Sequence, residues 1–113
     1  MASVLVPEQN QACADSCSEC VQSCNACAYQ CCLPANRTDC ARLCLDCAAI
    51  CQLCVVLLSR GSALAPDLCR VCIAICEACA DMCERSDAET CHRCAEVCRR
   101  CADQCRKLIA ASA

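Results

Sequence analysis

Cysteine is the residue type with chemistry to offer in this chain: 22 of the 113 residues are Cys, against one His and one Tyr. Twenty-one of them stand in four runs whose spacing alternates between three and four residues. The runs are Cys13, Cys17, Cys20, Cys24, Cys27 and Cys31; Cys40, Cys44, Cys47, Cys51 and Cys54; Cys69, Cys72, Cys76, Cys79 and Cys83; and Cys91, Cys94, Cys98, Cys101 and Cys105. Only Cys32 lies off the pattern. A thiol can pair with another thiol, act as a nucleophile, or bind a soft metal as thiolate. The spacing helps to separate these three.

Cross-linking fits poorly. Disulfide scaffolds belong to secreted, loop-rich chains, and the cytosol keeps thiols reduced. Thiols three or four residues apart on one helix have Cβ atoms roughly 5–6 Å apart, wider than the roughly 3.5–4.5 Å that a disulfide needs. Catalysis fits less well still, because a cysteine nucleophile needs one activated thiol with a partner base. Twenty-two near-equivalent thiols and the single His92 do not make that arrangement. Redox chemistry at a C-x-x-C pair is the stronger enzymatic alternative, with Cys91 and Cys94 the best placed. Asp15, Glu19, Asp81 and Asp103 sit outside the thiol rows and form no acid/base pair. The chain reads as a non-enzyme.

Metal binding remains, and charge selects the metal. Zinc takes four ligands, commonly from two C-x-x-C pairs, and eight such pairs are present. They interlock with C-x-x-x-C pairs into continuous rows, and the rows contain no Lys or Arg. Four thiolates around Zn²⁺ leave a doubly negative centre, which is costly to bury without a counter-charge. One Cu⁺ per thiolate leaves the interior neutral. That points to roughly one copper per cysteine, on the order of 20 per chain, held by soft thiolates. A zinc or mixed-metal thiolate buffer, metallothionein-like, is the alternative. Iron–sulfur clusters need room for sulfide that a narrow helical core does not offer.

Spacings of three and four place side chains on one helix face, so each run predicts a helix with a thiol seam. Four helices over about 7–32, 37–60, 66–85 and 87–109 make an all-α, antiparallel up-down four-helix bundle with a cysteine-lined core, a single domain over 1–113. Pro7 and Glu8 open the first helix, and Pro34 ends it. Asn36 or Thr38 caps the second and Gly61 stops it. Pro66 and Asp67 start the third, and Ser86 to Glu89 reads as a capping box for the fourth. Arg106 and Lys107 are expected in its last turn. One bundle end collects Cys31, Cys32, Cys40, Cys83 and Cys91 among polar loops and His92. The other collects Cys13, Cys54, Cys69 and Cys105 under an apolar loop, Val55 to Leu58 with Leu64, which reads as a plug. Rows of Leu43, Ile50 and Leu57, and of Leu68, Ile75 and Met82, lie beside the seams of the second and third helices, so self-association is expected through those two; the alternative is a widened core-facing stripe.

Composition bounds the rest. Without Trp or Phe, cysteine and alanine must fill the core, cysteine acting as a small hydrophobe. Replacing leucine-sized fillers by smaller ones forfeits on the order of 1–3 kcal/mol each, so this many thiols imply a use for sulfur. A net charge of −3 argues against nucleic acid. No stretch reads as a membrane span, since Val55 to Leu58 is too short and polar neighbours interrupt the longer ones. The opening residues lack the pattern of an export signal, and a cytoplasmic location is expected.

The C-x-x-x-C and C-x-x-C rows from Cys13 to Cys105 resemble the bacterial copper storage proteins, four-helix bundles whose cysteine-lined cores fill with Cu(I). The likeness is to the cytosolic branch, which implies a homotetramer and storage of multiple Cu(I) ions per chain. It implies as metal ligands all 22 cysteines. The branch carries histidines at the copper mouth near the start of the fourth helix; here Glu84 to His92 keeps His92 alone. His92 is thus a ligand candidate or a solvated surface residue. Cys32 is either a further ligand beside Cys31 and Cys40 or an extra thiol. Met82 reads as packing more than as a thioether ligand, and Tyr29 as a flank residue. Arg99, Arg100, Arg106 and Lys107 read as a solvated face, open to an acidic copper donor such as a copper chaperone.

Overall fold

The computed structural model describes residues 5–112. Residues 1–4, part of the opening that lacks an export-signal pattern, lie outside the described residues, as does Ala113. Four helices form: α1 Glu8–Cys27, continued by a π-helical turn Ala28–Cys32, α2 Thr38–Arg60, α3 Ala65–Glu84 and α4 Glu89–Ser112. There is no strand among the described residues. Successive helices pack side by side and α1 against α4 closes the ring. Thiol pairing gives the directions: Cys13 at the start of α1 meets Cys105 near the end of α4, and Cys27 meets Cys91. Cys40 likewise meets Cys83, and Cys51 meets Cys72. The bundle is up-down and antiparallel.

The core is made of thiols and methyl groups. Twenty-one cysteines are buried, and Ala14, Ala28, Ala41, Ala48, Ala65, Ala80, Ala95 and Ala102 are buried beside them. Small side chains let the helices approach closely, and thiols and methyl groups occupy the interior in place of aromatic residues. The α2 helix is long and apolar enough to cross a membrane by length and composition. Much of that hydropathy is its cysteine row, which faces the other helices.

The helix ends differ from the expected caps in instructive ways. Pro7 is the residue before α1, not its first, and α2 begins after Arg37 with no side-chain cap, so neither Asn36 nor Thr38 serves. Asn36 instead takes a left-handed backbone (φ 59°) that turns the chain between helices, a conformation Asn tolerates better than most residues. Gly61 ends α2 in the same region (φ 67°), and the Ser62 N–H bonds back to the Leu57 carbonyl at 3.0 Å, as expected of a glycine stop. Ser86 does not close a capping box: its Oγ accepts the Ala88 N–H at 3.0 Å, two residues on. The α4 helix runs beyond Arg106 and Lys107 to Ser112, so its last turn has no basic residue.

The apolar plug is helix, not loop. Val55 to Leu58 belong to α2, and Leu58 is fully buried beneath the closed end with Leu108 from α4. Leu64 is 60% exposed and takes no part. Buried Asn10 fixes this end by donating its side-chain N–H to the Leu58 carbonyl at 3.0 Å. On the flanks, Arg99 pairs with Asp81 and Glu84, Arg100 with Glu19, and Arg106 with Glu77 and Asp103. These basic side chains are engaged in holding α4 to α1 and α3, although exposed pairs contribute only about 0–1 kcal/mol each.

Candidate metal centre

The four seams mesh into one continuous column of sulfur. Near the closed end Cys17 lies 3.6 Å from Cys101, and Cys51 lies 3.6 Å from Cys72. In the middle Cys47 lies 3.5 Å from Cys76 and 3.7 Å from Cys20, and Cys24 lies 3.6 Å from Cys98. Toward the other end Cys44 lies 3.7 Å from both Cys79 and Cys83. All 22 thiols are free, and the closest approach, Cys31 to Cys91 at 3.1 Å, is far beyond the roughly 2.05 Å of a disulfide.

Overlapping sets of four make the column a lattice of metal sites. Cys17, Cys72, Cys101 and Cys105 form one set; Cys20, Cys47, Cys51 and Cys76 another; Cys27, Cys44, Cys83 and Cys94 a third. Within each, the sulfurs lie within 4.8 Å of one another. Two sulfurs on one two-coordinate ion stand about 4.6 Å apart, taking a metal–sulfur bond of roughly 2.3 Å. Three around a trigonal ion stand about 4.0 Å apart by the same bond length. Both spacings are within reach of rotamer adjustments. Because Cys47 and Cys94 each belong to more than one set, one thiolate can bridge two ions.

The π-helical turn corrects the expected roles of two cysteines. Its bonds span five residues, as in Leu33 N–H to the Ala28 carbonyl at 2.9 Å, so the turn takes one extra residue and shifts the facing of the side chains at its C-terminal end. Cys32, read as off the seam, points inward, fully buried and 3.8 Å from Cys27. Cys31, read as on the seam, is left half-buried at the mouth, the one cysteine not fully enclosed. An adjacent Cys-Cys pair just before Pro34 is the only trace of this in the sequence.

Arg37 is the residue at the thiol mouth that spacing could not find. From the loop before α2 it donates through Nη2 to the Met82 carbonyl at 3.1 Å and through Nη1 to Cys91 Sγ at 3.5 Å. Burial opposes its charge, but Cys40, Cys91 and Cys32 around it outweigh that and raise its pKa. Burial is also the largest cause pushing Cys32 above the ordinary thiol range and Cys91 up to about 12, with the Cys31 contact adding to the latter. Cys27, by contrast, is held at about 7 by S–H groups of Cys44 and Cys83. The absence of cations from the rows thus holds for the interior, while the mouth carries one guanidinium.

A family model described as copper storage protein matches residues 6–110. The chain belongs to the copper storage protein family. Among solved structures similar to it is the apo copper storage protein Csp3 of Bacillus subtilis, 37% identical, with 87% of this chain and 96% of that one covered and a TM-score of 0.81. The Cu(I)-bound copper storage protein BsCsp3 is 35% identical over 90% of this chain and 99% of that one, at a TM-score of 0.85. The copper storage protein Ccsp of Streptomyces lividans, loaded with 10 copper equivalents, is 33% identical over 96% of this chain and 89% of that one, at a TM-score of 0.84. None of the curated protein sequences matches the chain.

Against that family the chain's histidine stands apart from the thiols. His92 is exposed and lines a flank hollow with Glu19, Ser23, Glu96 and Arg100. Its Nε2 faces the Ser86 carbonyl, which can only accept, so Nε2 carries the proton and only Nδ1 retains a lone pair for a metal. Met82 packs half-buried in the row with Leu68 and Ile75, and Tyr29 is an exposed flank residue.

Proposed function

We propose that this protein is a cytosolic Cu(I) store, taking on the order of 20 ions per chain at about one per thiolate. The observation that carries the reading is the sulfur column itself: of 22 free thiols, 21 are buried in one interior with no cation inside it and Cys31 stands at its rim. Neutral thiols are tolerated there while empty, and monovalent copper replacing each proton keeps the column neutral when full. Zinc in the same sets would accumulate buried negative charge, and the relatives named as carrying metal carry copper. The related Streptomyces protein is described as cytosolic, which supports the same compartment here. No catalysis is assigned: the column offers many equivalent thiols and no base positioned beside one of them.

Self-association through α2 and α3, as a homotetramer, belongs to the same proposal. Its support is the pair of half-buried rows, Leu43, Ile50 and Leu57 with Leu68, Ile75 and Met82, on neighbouring helices. A copper chaperone is the partner that suits such a store. No nucleic-acid or membrane partner is proposed, given the acidic net charge and an α2 whose cysteines are turned inward. Anaerobic titration of the reduced protein with Cu(I) against a competing chelator tests the store. Saturation near 20 ions per chain is expected; saturation at only a few, or preferential retention of zinc, would overturn it.

A further inference from the structure

The two bundle ends are chemically unlike. Leu58 and Leu108 shut one, and at the other Cys31 is the sole cysteine partly open to solvent. Its sulfur lies 3.1 Å from Cys91, which lies 3.5 Å from Cys27 inside the column. The guanidinium of Arg37 rests against Cys91 and lines a surface hollow with Asp39, Cys40 and Met82. A thiol relay from solvent to core therefore begins at Cys31 and Cys91, with one positive charge beside it, while His92 faces the flank.

We infer that Cys31 and Cys91 form the acceptor site for incoming copper, and that Arg37 suits it to Cu(I) delivered as an anionic bis-thiolate complex. This rests on the storage reading. In the exchange the two donor copper–sulfur bonds break and bonds to Cys31 and Cys91 form. The two S–H protons pass to the two departing donor thiolates. The complex carries one negative charge before and after, copper stays Cu(I), and no electron is exchanged. Arg37 faces that charge in the approaching complex and again in the product. The 3.1 Å separation must open toward the roughly 4.6 Å of a two-coordinate ion. Cys31, at the rim, has the freedom to turn outward. Passage to Cys27 and Cys32, 3.8 Å apart, then leads inward.

The test monitors uptake by the reduced full-length protein from two probes, Cu(I) complexed by dithiothreitol and Cu(I) in acetonitrile, reading the luminescence of clustered Cu(I)–thiolate. Arg37→Gln is expected to slow uptake from the dithiothreitol complex about tenfold and leave uptake from the cationic acetonitrile complex unslowed. Arg37→Lys is expected to restore most of the rate, and added salt to narrow the difference between wild type and Arg37→Gln. Cys31→Ser is expected to slow both probes, with His92→Ala slowing neither. Equal slowing of both probes by Arg37→Gln, or a larger loss with His92→Ala than with Cys31→Ser, would overturn the inference. Final copper content of each variant, within about one or two ions of wild type, shows that the bundle has folded. If wild type itself takes only a few ions, the storage reading fails; if it fills and these rates do not change, only the acceptor site fails.

Discussion

Cys27 and Cys32, five residues apart in the chain, bring their sulfurs to 3.8 Å inside the bundle. No regular α-helix places residues five apart on one face, so this contact depends on the wider turn between them. The consequence is an exchange of places: Cys32 is enclosed and Cys31 is at the rim. Brief alkylation of the native, reduced apo protein should therefore label Cys31 first and leave Cys32 with the protected thiols. Peptide mass mapping checks this, and equal labelling of the two would argue against the turn.

The closed end should be sensitive to truncation in the apo protein, because Leu58 is the largest fully buried side chain among the described residues. Leu58→Ala empties a fully buried position and is expected to cost about 2–4 kcal/mol. Chemical denaturation would measure it. Asn10→Ala removes the donor to the Leu58 carbonyl and is expected to cost about 1–2 kcal/mol. The pair should be non-additive, since both act on one turn of α2.

Copper should stabilise the fold strongly and reversibly. The thiols are brought together only in the folded state, so each ion bound there shifts the folding equilibrium. The loaded protein should melt well above the apo protein, and stripping copper anaerobically with excess chelator should return the original Tm. Unchanged melting on loading would place the metal outside the column.

Uptake from a donor that carries no thiolate, such as Cu(I) in acetonitrile, should release protons. With Cys91 pushed up to about 12 by burial, its thiol is neutral at pH 7, and binding must displace its proton. Apparent affinity should therefore fall as pH falls. For the apo fold the sign is opposite at high pH. A thiol whose pKa rises from 9.0 to about 12 on folding contributes stability that is full below pH 9 and is lost as pH rises toward 12. Denaturation of apo protein across that interval checks the second statement, and calorimetry in buffers of different ionisation enthalpy checks the first.

The sequence made the helices legible because the alternation of three and four fixes a helical face regardless of what the side chains do. Gly61 and Pro66 marked two boundaries for reasons of backbone conformation that hold locally. What could not be read depended on three-dimensional reach. Arg37 touches Cys91 only because Asn36 turns the chain between helices, and Leu108 is buried only once α4 has closed the ring. The capping pattern at Ser86 was ambiguous for a local reason: a serine oxygen serves the N–H two residues on as readily as three. Whether the neighbouring Cys31 or Cys32 faced inward turned on one extra residue in a turn, which the spacing alone does not encode.

If copper enters at Cys31 and Cys91, a column shut by Leu58 at the opposite pole would fill and empty through one opening. It would behave as a stack, in which the last ion deposited is the first withdrawn. Under intermittent demand the outer sulfurs near Cys31 and Cys91 would handle nearly all the traffic, while ions beside Cys13 and Cys105 would outlast many cycles. The molecule would then hold two populations of one metal, a rapidly exchanging one near the rim and a reserve with a far longer residence time, distinguished by depth alone.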